Sequence, residues 1–300
     1  MLIKISFRSL TFLPPHGNYS SLMHHSVNIG PVKIGDDCPL ALIAGPCVLE
    51  NYESARDVAR FLKALTDRLE IPFVLKASYE KANRTSLDAF RGPGLADGLK
   101  FLEKIKGEFN IPVLSDVHLK AEIAAAAEVL DIIQIPAFLC RQTDFILAVA
   151  QTQKPINIKK GQFLAPWDMA YVVEKATSTG NSQILLTERG TMFGYNNLVV
   201  DFRSFQELQK TGFPVIFDVT HSLQLPGAAG KSSGGQRDYA PMLARAAVAA
   251  GVHGIFIEVH KDPDRALCDG PNSLRLEDLE SLLFQLKNIR KALVAGAGPQ

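Results

Sequence analysis

Cysteine is scarce in this chain: four in 300 residues, at 38, 47, 140 and 268, with no CxxC pair among them. That scarcity argues against a disulfide scaffold and for a reducing cytoplasm. Long apolar runs are missing too, and none approaches the roughly 20 residues that span a bilayer. Charge of one sign is not in excess, with 32 basic against 31 acidic side chains and a net charge of +1. Neither nucleic acid nor an anionic membrane has an electrostatic reason to bind, so any anion site must be built locally. No internal repeat is visible. What is present is a 47% hydrophobic composition, ample for one main domain with a sizeable core.

Residues 1–25 fit poorly with the rest. The opening MLIKISFRSLTFLPPHGNYSSL carries lysine and arginine without an acidic residue, as targeting peptides do, but Pro14-Pro15 interrupts the pattern and no cleavage site is clear. We read 1–25 as a disordered extension, or as a start placed too early with Met23 the natural one, and 26–300 as a single catalytic domain.

Eight short β-rich runs follow: LALIA (40–44), PFVLKAS (72–78), PVLSD (112–116), DIIQI (131–135), PINIKK (155–160), QILLTE (183–188), PVIFDVTH (214–221) and GIFIEVH (254–260). Between them lie segments such as YESARDVARFLKALTDRLE, whose apolar residues return at helical spacing. Near-continuous apolar strands alternating with helices imply a parallel sheet buried on both faces, and eight such units close an α/β (β/α)8 TIM barrel. An open doubly wound sheet is the rival. Ahead of the first strand, SVNIGPVKIG has the pattern of a short N-terminal β-hairpin around Gly30-Pro31, placed to cap the barrel bottom.

Chemistry in such a barrel sits at the C-terminal strand ends, and there the polar residues gather. Strand one runs into Cys47. Strand two ends with Lys76 and Ser78, then Lys81, Asn83 and Arg84; strand three ends at Asp116 and His118. Strand four supplies Gln134, strand five Lys159-Lys160, strand six Glu188-Arg189, strand seven His221, and strand eight Glu258 and His260. Lys76, Lys81, Arg84, Lys159 and Arg189 form a cation cluster suited to phosphate or carboxylate, and more than one anionic group is implied. Cys47, His221 and Glu258, joined by Asp269 of CDGPN, form a mixed soft and hard set that could hold one divalent metal.

Plainer readings exist for each residue. A cysteine after a strand is usually small core packing, Lys159-Lys160 could be a solvated pair, and Arg189 could salt-bridge Glu188. Five cations on one barrel face outweigh these alternatives taken singly. His118 and His260 either support a site residue from behind or are structural, His253 sits at the wrong end, and Cys140 and Cys268 are read as non-catalytic. The Gly/Ser-rich LQLPGAAGKSSGGQRD after strand seven suits a lid or a mobile surface loop.

IAGPCVLE, KASYEKANRTS, FRGPG, IIQIPAFLCRQTD, IKKGQFLAPWD, LTERGTMFGYNNLVVDFRS and FDVTHSLQLPG together resemble the signature segments of the 3-deoxy-D-manno-octulosonate 8-phosphate synthases, also called 2-dehydro-3-deoxyphosphooctonate aldolases. The resemblance runs from about Ser26 to near the C-terminus. It implies a cytoplasmic homotetramer, a transferase joining phosphoenolpyruvate to D-arabinose 5-phosphate with release of phosphate. The product is the precursor of an acidic sugar of bacterial lipopolysaccharide or a plant wall polysaccharide. By position, Lys76, Ser78, Lys81, Gln134, Ala137, Lys159 and Arg189 would hold phosphoenolpyruvate. Asn83, Arg84 and Thr85 would bind the sugar phosphate, in a site completed by a neighbouring subunit, and Asp116 is a further substrate-binding position. Thr85 stands where the family often has serine, keeping the hydroxyl. Lys76, Lys81, Asn83 and His221 are the expected catalytic residues.

The family divides at the position of Cys47: a cysteine branch depends on a divalent metal, an asparagine branch does not. Cys47, His221, Glu258 and Asp269 are therefore the expected ligands of one Zn, Fe, Mn or similar ion, although CDGPN around Asp269 follows the metal-free pattern. Two alternatives stand beside this reading: a related synthase acting on erythrose 4-phosphate, and a phospho-sugar-binding barrel without catalysis.

Overall fold

The computed structural model describes residues 25–228 and 233–296. The expected extension, apart from residue 25, and the proposed start at Met23 lie outside the described residues, as does the middle of the Gly/Ser-rich loop.

Each of the eight predicted runs is a strand: β1 Ala41–Gly45, β2 Phe73–Lys76, β3 Val113–Asp116, β4 Ile132–Ile135, β5 Ile156–Lys159, β6 Ile184–Glu188, β7 Val215–Asp218 and β8 Gly254–His260. All pair in parallel with their sequence neighbours, β8 also pairs with β1, and the ring closes. Closure excludes the open doubly wound sheet. Eight helices follow the strands in turn: α1 Tyr52–Leu69, α2 Leu95–Phe109, α3 Ile123–Val129, α4 Thr143–Ala150, α5 Met169–Thr177, α6 Arg203–Gln209, α7 Ala240–Ala249 and α8 Leu279–Gly296. In α1, the Asn51 side chain accepts from the Ser54 backbone at 2.8 Å and so caps the first turn. Val58, Ala59, Leu62 and Leu65, spaced to share one helical face, are buried against the sheet.

Strand periodicity then divides the barrel in two directions. One set of alternate residues, including Leu75, Val113, Ile133, Ile156, Leu186, Phe217 and Ile257, packs outward into the helix layer. The other set fills the lumen. Its lower layer is apolar, with Ile43, Val74, Leu114, Ile132, Leu185, Ile216 and Phe256 packed on Val27, Ile29, Val32 and Ile34 of the N-terminal hairpin. That hairpin, Val27–Ile29 paired with Val32–Ile34, turns through Gly30 at φ 55° and caps the barrel bottom as expected. Two residues further along the same strands the lumen becomes polar: Lys76, Asp116, Gln134, Thr187, Asp218 and Glu258 follow Val74, Leu114, Ile132, Leu185, Ile216 and Phe256, and all are buried. The hairpin thus seals the apolar end and leaves the charged end as the working face.

Strand seven stops earlier than its sequence suggests. Beyond Asp218, the Asp218 carboxylate accepts from the His221 backbone N–H at 3.0 Å and from Thr220 Oγ1 at 3.2 Å, folding the chain into a short turn, His221–Leu223. This local competition with the ladder tips His221 over the mouth.

Candidate active site

Gly45 is where β1 ends, and a Cβ there would lie 2.0 Å from the Lys76 carbonyl oxygen. Only glycine lets the two strand ends approach so closely. The next residues then carry Cys47 across the mouth, where its carbonyl accepts from Lys76 Nζ at 2.8 Å.

Lys76, Lys81, Asn83, Arg84, Thr85, Asp116, Gln134, Ala137, Lys159 and Arg189 line a single cavity of about 660 Å³, together with His221 and Asp269. All five predicted cations therefore converge. Lys76 Nζ donates to Glu258 Oε1 at 2.7 Å, and Lys81 lies 3.7 Å from the same oxygen and 3.9 Å from Asp116. Lys159 donates to Asp218 and sits 3.7 Å over the Phe256 ring. Arg189 spends one nitrogen on Gln224 Oε1 at 2.7 Å, while its buried Nη1 has no partner. Its guanidinium does not pair with Glu188, whose carboxylate instead accepts from the Arg189 and Gly190 backbones.

A chain of polar side chains supports this layer. Thr187 donates to Asn157 at 2.6 Å, Asn157 to Gln134 at 2.7 Å, and Gln134 to Asp116, which also accepts from Ser78 at 2.5 Å. Ser78 thus lies behind the cavity wall and acts through Asp116. Burial alone would favour the neutral acid at Asp116, but Lys81, Lys76, His118 and Lys159 outweigh it and hold the carboxyl below its usual range. Glu258 is likewise held low, against its burial, by His221, Lys76 and Lys81. Lys81 is the converse case, with burial opposing its charge and the carboxylates of Glu258 and Asp116 keeping it protonated. Lys159 and Arg189 are shifted down by burial despite Asp218. The layer is tightly charge-matched, with its cations aimed at the cavity.

The second set converges too. His221 Nδ1 lies 2.7 Å from Asp218, whose carboxylate accepts that N–H and leaves Nε2 facing Glu258 at 3.5 Å and Asp269 at 3.9 Å. Cys47 Sγ is 3.5 Å from Asp269 Oδ2. His221, Glu258 and Asp269 form one group of mutually close donor atoms, and Cys47, Cys268 and Asp269 another, sharing Asp269. Glu258 Oε2 is buried without a hydrogen-bond partner. An orphaned carboxylate oxygen among soft and hard donors is what a bound cation would satisfy, so the residues fit a divalent metal. Burial, and then the bond to Cys268, raise the Cys47 thiol well above its ordinary value.

The remaining sequence readings divide. Lys159-Lys160 is not a solvated pair: Lys160 is fully buried and bonds Gly161 O, Leu164 O and Thr191 away from the cavity. His118 lines the cavity with Nε2 3.0 Å from Glu80 O, whereas His260 turns to Glu50 at 3.5 Å. His253 accepts from the Val215 backbone and pairs with Asp36 at the far end. Cys140 is fully buried under the helices. Cys268, set aside in the sequence, lies 2.9 Å from Cys47. Sequence reasoning also passed over Asp218, Asn157, Thr187 and Gln224. The first three carried a usable signal, being polar residues at lumen positions near strand ends. Gln224 carried none, since only the ribbon Gln224–Leu225 with Gly234–Gly235 brings it over the mouth.

The family profile described as DAHP synthetase I family matches residues 18–295. A 2-dehydro-3-deoxyphosphooctonate aldolase of Desulfosudis oleivorans is 62% identical over 277 residues, 92% of this chain and 99% of its own length. Proteins of the same name from Geotalea daltonii and Geobacter sulfurreducens are 60% and 57% identical, each over 89% of this chain and 98% of the relative. With profile and relatives both spanning the barrel and its charged mouth, the chain belongs to the DAHP synthetase I family.

Proposed function

We propose that this chain is a 3-deoxy-D-manno-octulosonate 8-phosphate synthase, condensing phosphoenolpyruvate with D-arabinose 5-phosphate and water and releasing inorganic phosphate. The names borne by its relatives support this. The observation that carries it is the convergence of five cations, in a chain of net charge +1, on one sealed-bottom cavity. Two phosphorylated reactants, one also a carboxylate, need that concentration of positive charge.

In this reading Lys76, Lys81, Lys159 and Arg189 hold the phosphate and carboxylate of phosphoenolpyruvate, with Gln134 and Ala137 against its plane and Ser78 acting through Asp116. Arg189 Nη1, buried and unpartnered, is the donor most plainly waiting for an anion. Asn83, Arg84 and Thr85 hold the sugar phosphate. C3 of the enol then bonds the aldehyde carbon while water adds at C2, and the tetrahedral intermediate breaks its C–O bond to expel phosphate. Lys81, kept protonated, stabilises negative charge developing on oxygen. His221, oriented by Asp218, presents Nε2 to the mouth. Holding two reactants at contact supplies much of the acceleration.

Cys47, His221, Glu258 and Asp269 would hold one divalent ion, among Zn, Fe, Mn or similar. When bound it supplies Lewis acidity that orients the aldehyde or water and stabilises developing oxygen charge. Cytoplasmic location and a homotetramer belong to the same reading. No helix among the described residues is long and apolar enough to cross a membrane.

Phosphate release in the presence of phosphoenolpyruvate tests the assignment: D-arabinose 5-phosphate should drive it and erythrose 4-phosphate should not. Turnover only with the latter, or saturable binding with no turnover, would replace the proposal with one of its two alternatives. A strong chelator should abolish turnover, with Mn²⁺, Fe²⁺ or Zn²⁺ restoring it; full activity in demonstrably metal-free protein would remove the metal from the reaction.

A further inference from the structure

The loop after β8 brings a second sulfur to the mouth, and neither the substrate reading nor the four-ligand reading uses it. Cys268 Sγ lies 2.9 Å from Cys47 Sγ, both side chains are buried, and Cys268 also lines the cavity. Asp269 Oδ2 stands 3.5 Å from Cys47 Sγ, so two sulfurs and a carboxylate oxygen form one compact donor group. Asp269 is left-handed at φ 49°. Val48 and Phe90 pack around the pair on the side away from the cavity mouth. Arg84 Nη1 donates to Cys268 Sγ at 2.6 Å, fixing the sulfur at the mouth.

We propose that Cys268 is a second thiolate ligand, making this a two-sulfur site with a preference for soft ions such as Zn²⁺ or Cd²⁺ over Mn²⁺. At metal–sulfur bonds of about 2.3 Å and a tetrahedral angle, two thiolates stand about 3.8 Å apart, so the pair needs to open by less than about 1 Å to admit an ion. Both thiols lose their protons to the buffer on binding a divalent cation, and no oxidant is involved. Two thiolates select by softness, whereas His221, Glu258 and Asp269 alone would suit a harder ion. The inference rests on the metal reading above but not on its choice of substrates.

The test reads metal–sulfur bonds directly. Metal-free protein, kept reduced with a phosphine, is titrated with Cd²⁺, and the ultraviolet thiolate-to-metal charge-transfer absorbance is measured per bound ion. Cys268→Ser and Cys268→Ala should each retain about half of it, one thiolate of two. Equal absorbance per ion in the folded variants and the unsubstituted protein overturns the proposal. In the unsubstituted protein, bound Cd²⁺ should also shield both Cys47 and Cys268 from maleimide alkylation, read by peptide mapping. Shielding of Cys47 alone overturns it. Neither readout needs turnover, so a failure of the synthase assignment would leave this result standing, and the reverse.

Discussion

At the scale of single residues, the site is governed by charges that cannot be removed one at a time. Lys76 and Glu258 are both 1% exposed and bonded at 2.7 Å. Lys76→Met strips a buried carboxylate of its strongest donor, which typically costs about 3–5 kcal/mol. Thermal unfolding should show that loss alongside absent phosphate release; a variant as stable as the parent would mean the pair is not structural. Asp116 offers a pH test with a defined sign. Its folded pKa is depressed, so its stabilisation is complete above the unfolded value of about 3.9 and is lost as pH falls through the lower folded one. Asp116→Asn should therefore lower the unfolding temperature at pH 7, and the gap should begin to narrow only below about pH 4, closing as pH falls on through the depressed folded value. A gap independent of pH would contradict that origin. These residues were legible because type and position coincided: lysine, aspartate or glutamate at the end of an apolar strand has few reasons to be there other than chemistry. Cys268 was not legible, since nothing in its neighbourhood along the chain says that it returns to a cysteine 221 positions earlier.

At the scale of elements, the eight strands were readable because each is a short apolar run bounded by helical periodicity. Their ends were less so, as β7 shows, where Asp218 captures the next backbone N–H and stops the ladder. The hairpin was visible as two β-like runs about a Gly-Pro, and its packing explains why it is kept. Ile34 is fully buried among lumen residues from the barrel strands. Ile34→Ala should cost about 2–5 kcal/mol through the cavity it leaves, measurable as a lower unfolding midpoint. Its KM for both substrates should stay unchanged, because the apolar layer separates the hairpin from the mouth; altered KM would show that the layers are coupled. The ribbon holding Gln224 escaped the sequence reading, because two-residue strands, Gln-Leu and Gly-Gly, carry no periodic signal.

At the scale of the whole molecule, near-neutral composition hid a strongly polarised barrel, and only the folding of strand ends to one face reveals it. Ligand binding should make that polarity measurable. Phosphoenolpyruvate at 100 times its Kd should stabilise the folded chain by about 2.7 kcal/mol, seen as a raised melting temperature, and Arg189→Ala should abolish most of the rise. An undiminished rise would place the anion elsewhere.

The stoppered lumen also fixes the traffic of the reaction. With hairpin and apolar layer filling the floor, a reactant seated on Lys76 and Lys159, as the proposed function has it, finds no back door among the described residues, and a sugar arriving from above would cover its way out. On the same reading the eight-carbon product would span both seats and depart through the same opening, so a slow departure would hold up the next cycle whatever the speed of bond making.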